Sequence, residues 1–413
     1  MATLGDRILW RRARDYLHRY QPTLIGITGS SGTTLVKDAL ALALAPILHL
    51  RTAPFRHHTL RGLALAILGA KSPKLHRHWL RLLTGSHLRE LIADEPNCIV
   101  LDLPAHQPGE LDAVARALTF QVVAVTNTET INLHLFPSLE MIAHEQASLI
   151  SALPQNGTVC LNADDKLVAA HAARTKARII WFGESASADI RLVRTHRLTT
   201  GLAAEWRILG RPLELHLPHI IGRHQLSYLS AALAVIAALD IKTHQAAQRL
   251  AQIRPPAGNL RLFEGQGGAQ IIDGSYEVSP ESMMAALATL SEIPSRRNIA
   301  ILGDLPPLGA HQTSCYEKIG QRAAQTAAVL VTVGENIRTS GAAALQAGGV
   351  DVHHFADSRD VGKWLVDFLH AGDTVLICGS HNLHLERVVE RLLAHPDRDR
   401  DQLIKDSREE PLA

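Results

Sequence analysis

The chain has 413 residues, 46% of them hydrophobic and 20% charged, with a net charge of +2. That length is too great for one ordinary core and predicts roughly two or three domains, and no apolar run approaches the roughly 20 residues of a membrane-spanning helix. The four cysteines, Cys98, Cys160, Cys315 and Cys378, are far apart and unpaired in spacing, which argues against a disulfide framework or a zinc site and fits a cytoplasmic protein.

Residues 1–22 set arginines between apolar positions at helical spacing, predicting a helix rather than a signal peptide. TLIGITG then reads as a buried strand ending in glycines, and an Ala/Leu-rich helix is expected from about Leu35 to Leu48. Basic residues and histidines crowd the stretch from Arg51 to Arg89. Trp79, Leu80, Leu82 and Leu83 within it fit an amphipathic helix with a solvated basic face. Peripheral contact with a membrane surface, or an acidic partner, is the other reading of residues 51–89, ahead of nucleic acid.

CIVLDLP, VVAVTN, TVCLNAD and RIIWFG follow as buried strands, separated by helical patterns such as GELDAVARAL and LEMIAHEQASLISAL. This alternation predicts an α/β fold with a mostly parallel sheet covered on both faces. From Asp189 to Leu217 the pattern turns to short alternating stretches, predicting an antiparallel appendage, and GRHQLSYLSAALAVIAAL is a helix that closes the unit. IRPPAGNLRLFEG has the composition of a linker, so a boundary is expected near Pro255. A second α/β series then runs through AQIIDGS, NIAILGD, AVLVTVG and DTVLICGS. The expected units are the helix at 1–22, a central domain at 23–255, a C-terminal domain at 256–395, and a charged, frayed or disordered tail at 396–413.

The most informative motif is Thr28-Gly29-Ser30-Ser31-Gly32-Thr33-Thr34, between a buried strand and a helix. In that setting backbone N–H groups and a helix N-terminus cradle phosphate, a lysine reaches the outer phosphates and a hydroxyl binds magnesium. Thr33 stands where the lysine belongs, Thr34 retains the hydroxyl, and Lys37 lies one turn further on, directed away from the loop. Alone, the motif supports an anion site and a plain strand-to-helix turn about equally.

The order ITGSSGTTLVKD, AVTN, LNADDKLV, GRHQLSYLSAALAV, PPAGNLRLFEG, IIDGSYEVSPESMMAAL, ILGDLPPLG and CGSHNLHLERVVE resembles the Mur ligases, closest to the branch that adds D-alanyl-D-alanine to a UDP-muramoyl tripeptide. The resemblance implies a P-loop-type central domain and a Rossmann-like C-terminal domain. It also implies ATP and magnesium as cofactors, and a reaction in which ATP phosphorylates a carboxylate and an amine displaces the phosphate. The family's first domain, which holds the UDP end of the substrate, should precede the loop, where only residues 1–22 stand before the first strand; it is expected to be absent.

Carried over position by position, the resemblance implies a consistent loss of charge. Thr33 replaces the loop lysine, Asn132 the metal-binding histidine, Gln146 the lysine that becomes carbamylated, Ser148 a nearby glutamate and Asn259 the interdomain arginine. Glu277 interrupts the C-terminal DDSYNANP-type motif, and Cys378-Gly379-Ser380-His381-Asn382 lacks the basic residues of the KGSRG-type turn. The nucleotide-binding candidates that remain are Gly29, Ser30, Ser31, Gly32, Thr33, Thr34, Asn162, His224, Asp273 and Tyr276, with Thr34 and Asp102 as metal candidates. Phosphoryl transfer depends on positioned cations, and losing one such group typically costs about a hundredfold to a thousandfold. The expected function is therefore a catalytically impaired homologue that binds a partner such as an active ligase, a nucleotide or an anionic metabolite. The alternative is an active ATP-dependent acid–amino acid ligase with an altered acceptor, drawing charge from Lys37, Arg223, Arg261 or His381.

Overall fold

A computed structural model describes residues 4–52, 60–69, 95–276 and 278–404. Nine strands form the first sheet, in the order β2-β3-β1-β4-β5-β6-β7-β8-β9. They are β1 (Thr23–Thr28), β2 (Leu50–Thr52), β3 (Cys98–Asp102), β4 (Val122–Val125), β5 (Thr158–Asn162), β6 (Arg178–Gly183), β7 (Ile190–Arg197), β8 (Leu202–Ile208) and β9 (Arg211–Leu217). Pairing is parallel from β2 to β7 and antiparallel from β7 to β9. The change falls where alternating residues replace continuous apolar runs. Every residue of β3, β4 and β5 is buried, as strands covered on both faces require.

Helices Thr33–Leu44 and Arg223–Ala238 cover one face of this sheet, and helices Leu4–Tyr20, Leu60–Leu68 and Leu139–Ser151 the other. Helix Arg223–Ala238 is buried almost all round because its alanines, Ala231, Ala232 and Ala234 among them, let it lie between the sheet and a neighbouring helix. The helix after the loop begins at Thr33, two residues earlier than expected, because left-handed Gly32 (φ 77°) turns the chain directly into it. It ends at Leu44, ahead of Pro46.

The second sheet has the order β10-β11-β15-β12-β13-β14. Its strands are β10 (Arg261–Glu264), β11 (Gln270–Gly274), β12 (Arg297–Gly303), β13 (Val329–Val333), β14 (Asp351–Phe355) and β15 (Asp373–Cys378). Only β10 runs antiparallel to its neighbour. Ile253 packs in the first core and Leu260 in the second, so the chain changes sheets across the Pro255-Pro256 segment.

Two expectations need correction. Residues 396–404, expected to fray, form a short helix at Pro396–Asp399 and a turn at Arg400–Gln402. Charge density concealed the anchors: Leu403 is buried with Phe263, Leu392 and Leu393, Arg398 pairs with Asp399 at 2.8 Å, and Arg400 pairs with Glu390. The remainder of the tail, 405–413, lies outside the described residues. Arg51, counted in a basic surface, is buried: its guanidinium donates to the Ile67 carbonyl at 2.5 Å and lies over the Tyr16 ring. Trp79, Leu80, Leu82 and Leu83 lie outside the described residues. Among those described, no helix is long and apolar enough to cross a membrane, and all four cysteines are free.

Candidate functional site

The loop from Gly29 to Thr34 joins β1 to its helix at the carboxyl ends of the parallel strands, where open α/β sheets bind ligands. Gly29 has φ 146°, and a Cβ there would sit 1.8 Å from the Thr126 hydroxyl. At Gly32 a Cβ would sit 2.2 Å from the Tyr228 ring. Gly32→Ala is therefore expected to lower stability by at least about 2 kcal/mol, combining left-handed strain with displacement of a buried ring. Denaturant unfolding measures it, and an unchanged midpoint would contradict this packing.

The loop's near half is fastened to the chain itself. Ser30 N–H donates to the Asn127 carbonyl at 3.0 Å and, with Ser31 N–H, to Asn127 Oδ1 at 3.1 and 2.9 Å. Thr126 Oγ1 donates to the Ser31 carbonyl at 2.7 Å. Ser31 Oγ lies 2.7 Å from the Tyr228 hydroxyl and 3.0 Å from Glu129 Oε1, and Asn127 Nδ2 donates to it at 2.6 Å. A relay satisfies all three hydroxyl and carboxylate groups, with Tyr228 donating to Ser31 and Ser31 donating to Glu129. The other carboxylate oxygen, Glu129 Oε2, accepts from Ser279 of the C-terminal half at 2.8 Å. Burial, reinforced by the charge of Glu281, pushes the Glu129 carboxyl up to about 7, against the opposing bonds from Ser279 and Ser31.

At the far half, Thr34 Oγ1 donates to Asp102 Oδ2 at 3.0 Å, while the buried Asp102 Oδ1 has no hydrogen-bond partner among the described residues. A hydroxyl beside an orphaned carboxylate oxygen suits a hard cation that takes its remaining ligands from water and phosphate. Among the described residues no cluster of three His, Cys, Asp or Glu could hold a metal by itself.

A cavity of about 100 Å³ lies between the loop and the C-terminal half, bordered by Thr33, Thr34, Asp102, His224, Tyr228 and Ser282 among others. No lysine or arginine among the described residues lines it. His224 does not supply the charge, because burial lowers it to about 4 and leaves it neutral at pH 7.

The other sequence candidates have structural partners. Asn162 Nδ2 donates to the Thr126 carbonyl at 2.8 Å and its Oδ1 accepts from Asp164 N–H at 3.0 Å, so it buttresses the Thr126-Asn127 turn rather than lining the cavity. Gln146 is fully buried, accepting from Thr128 Oγ1 at 2.8 Å and donating to the Asn127 carbonyl at 3.1 Å. Asn132, with φ 65°, donates to the Ala105 carbonyl at 3.2 Å. Asn259 donates to the Ala257 carbonyl at 2.9 Å, and its own carbonyl accepts from Gln225. Asp273 Oδ1 accepts from the Ser275 hydroxyl at 2.6 Å, and burial raises its carboxyl above the usual range. The Tyr276 ring meets that of His381 at a tilt of 54°, with centroids 5.3 Å apart. Glu277 lies outside the described residues.

Of the four groups that could supply charge, Lys37, Arg223 and Arg261 have polar partners away from the cavity. Lys37 lies 3.5 Å from Asp38, and Arg223 pairs with Glu184 at 2.8 Å. Arg261 donates to the carbonyls of Pro255 at 2.6 Å and Gln402 at 2.9 Å, and His381 faces Tyr276. Sequence reasoning missed Asn127, Glu129, Tyr228 and Ser279. Asn127 and Tyr228 lay in recognised segments, AVTN and GRHQLSY, whereas nothing local distinguishes Glu129.

The family model of the Mur ligase middle domain matches residues 27–236, and that of the Mur ligase glutamate ligase domain matches 260–381. The UDP-N-acetylmuramoyl-tripeptide--D-alanyl-D-alanine ligase of Mycobacterium tuberculosis is 30% identical over 404 residues, covering 90% of this chain and 73% of that protein. The ligase of the same name from Bacillus subtilis is 24% identical, covering 94% of this chain and 79% of the relative. In structure, MurF ligase from Thermotoga maritima in complex with ADP superimposes with a TM-score of 0.79 at 21% identity, over 95% of this chain and 84% of that one.

Proposed function

We propose, for a chain that belongs to the Mur ligase family, that the cavity between its two sheets binds a nucleotide or similar anionic ligand without the acyl-phosphate chemistry that joins an acid to an amine. One observation carries this reading: no lysine or arginine among the described residues lines the cavity beside the loop. The transferring phosphoryl group develops its charge on oxygens that positioned cations must meet. Thr33 is neutral and bordering, His224 is neutral by burial, Gln146 is bonded to the Thr128 hydroxyl and the Asn127 carbonyl, and Asn132 donates to the Ala105 carbonyl. Lost charges at one centre act as a unit, so their effects do not simply multiply, yet together they remove most of the stabilisation.

What the site retains suits binding. The loop glycines hold a turn that other residues could not, and the first turn of the following helix has no side-chain cap, which leaves its amides for an anion. Magnesium, if bound with a phosphate ligand, would rest on Thr34 and Asp102 and neutralise phosphate charge there. Calorimetry with ATP or ADP and magnesium, run beside assays for phosphate release and amide formation, is expected to give binding without turnover. Magnesium-dependent hydrolysis coupled to amide formation with any acid and amine would overturn the proposal.

The Thr34–Asp102 pair also favours a second reading, an ATP-dependent acid–amino acid ligase with an altered acceptor. That reading requires coupled turnover in the same assays and fails without it.

A further inference from the structure

Glu129 stands out because it is a carboxylate set against the loop that should receive an anion. Its Oε1 accepts from Ser31 Oγ at 3.0 Å and from Asn127 Nδ2 at 2.8 Å, and its Oε2 accepts from Ser279 Oγ at 2.8 Å. Its backbone is tied to the same loop, N–H donating to Ser30 Oγ at 2.9 Å and the carbonyl accepting from that hydroxyl at 3.3 Å. In such loops the amides cradle the inner phosphates while the lysine serves the outer ones. Here the lysine position is Thr33, the amides of Ser30 and Ser31 are given to Asn127, and the hydroxyl of Ser31 is given to Glu129. The Ser30–Ser31 end of the loop, which lines the cavity, is already bonded to a carboxyl group of the chain, and Glu129, not itself a lining residue, acts through Ser31.

The inner end differs. The amides at the start of helix Thr33–Leu44 have no side-chain cap, and Asp102 Oδ1 is buried without a partner beside the Thr34 hydroxyl. We propose that Glu129 selects the ligand of this cavity, acting as a built-in anion that leaves room for the inner phosphates of a nucleoside diphosphate and repels the terminal phosphate of a triphosphate. This rests on the nucleotide-binding reading above and adds discrimination to it. Thr130, whose hydroxyl donates to Glu281 at 2.9 Å, supports the contact by tying the same segment to the C-terminal half, as Ser279 does directly.

The charged and titratable groups that face Glu129 are Glu281 and Asp165, which favour its protonated form, and Tyr228, which is neutral at pH 7. Discrimination is therefore strongest when the carboxyl is ionised, above pH 7, and weakens as the pH falls through that value.

The test is calorimetry of the whole chain with magnesium and either ADP or a non-hydrolysable ATP analogue, comparing the parent with Glu129→Gln. The amide keeps the shape and removes the charge, and melting curves check that the fold is intact. At about pH 8 the parent is expected to bind ADP at least about tenfold tighter than the analogue, and the variant to bring the two within about threefold. Lowering the pH to about 6 should narrow the gap in the parent and leave the variant unchanged. Equal affinities in the parent, or a gap that survives Glu129→Gln in a folded protein, would overturn the selection and leave nucleotide binding standing. No binding of either nucleotide to either protein would overturn both.

Discussion

Gln146→Lys is expected to destabilise the chain by on the order of 3–5 kcal/mol, seen as a fall in melting temperature of roughly 10 °C. Gln146 is fully buried and uses both ends of its amide, accepting from Thr128 and donating to the Asn127 carbonyl. A lysine can donate but not accept, so the Thr128 hydroxyl loses its acceptor and a longer chain must fit a filled space. Its ammonium would also be taken out of water. The substitution restores the residue type that the family resemblance implies, so its cost measures how far the surroundings have been rebuilt around an amide. Bicarbonate with magnesium is not expected to recover the loss, because Gln146 is fully buried and does not line the cavity, so a carbamate formed there would hold its charge away from solvent and from the Thr34–Asp102 pair. A variant as stable as the parent, or one rescued by bicarbonate, would mean that the old arrangement is still accessible.

Thr33→Lys should act in the opposite sense on ligand binding. Thr33 is the first residue of its helix and borders the cavity, so a long side chain from that position has space into which to extend. A charge-assisted bond to phosphate is worth about 1.5–3 kcal/mol, which corresponds to a gain of roughly ten- to a hundredfold in nucleotide affinity. Part of the gain in the single variant would be absorbed by Glu129, so the gain for a triphosphate should be larger when Glu129→Gln is combined with it. Titration calorimetry on the single and double variants reads both effects. Unchanged affinity in a folded Thr33→Lys protein would show that the loop no longer presents its first turn to a ligand.

Local chemistry made the site's framework legible and left its wiring hidden. Gly29 and Gly32 stand at a strand-to-helix turn, and that pattern alone placed the loop. Thr34 and Asp102, each named as a metal candidate from the sequence, lie 3.0 Å apart in a hydrogen bond. Glu129 gave no such signal, because a glutamate just past a strand usually faces water. Here its importance comes from Ser31 and Ser279, 98 and 150 positions away in the chain. Tyr228 meets Ser31 across 197 positions. The spare cations misled for a related reason: Arg261 and Arg223 could have faced the cavity by sequence position, but nearer acceptors at Gln402, Pro255 and Glu184 satisfy them. The tail misled because charge density reads as solvent exposure when its partners, such as Glu390, belong to other elements.

The sequence by itself determined the two α/β units, the parallel order implied by continuous apolar strands, the turn that needs glycine, and the absence of a lysine at Thr33. Each follows from the period of burial or from the conformations one residue can adopt, both properties of short segments. Only the tertiary structure decided where the polar groups around the loop go: Ser31 to the Glu129 carboxyl, Gln146 to the Thr128 hydroxyl and the Asn127 carbonyl, and Arg223 and Arg261 to partners away from the loop. Electrostatics and hydrogen bonding depend on distance and burial in space, and those are set only when segments far apart in the chain pack together.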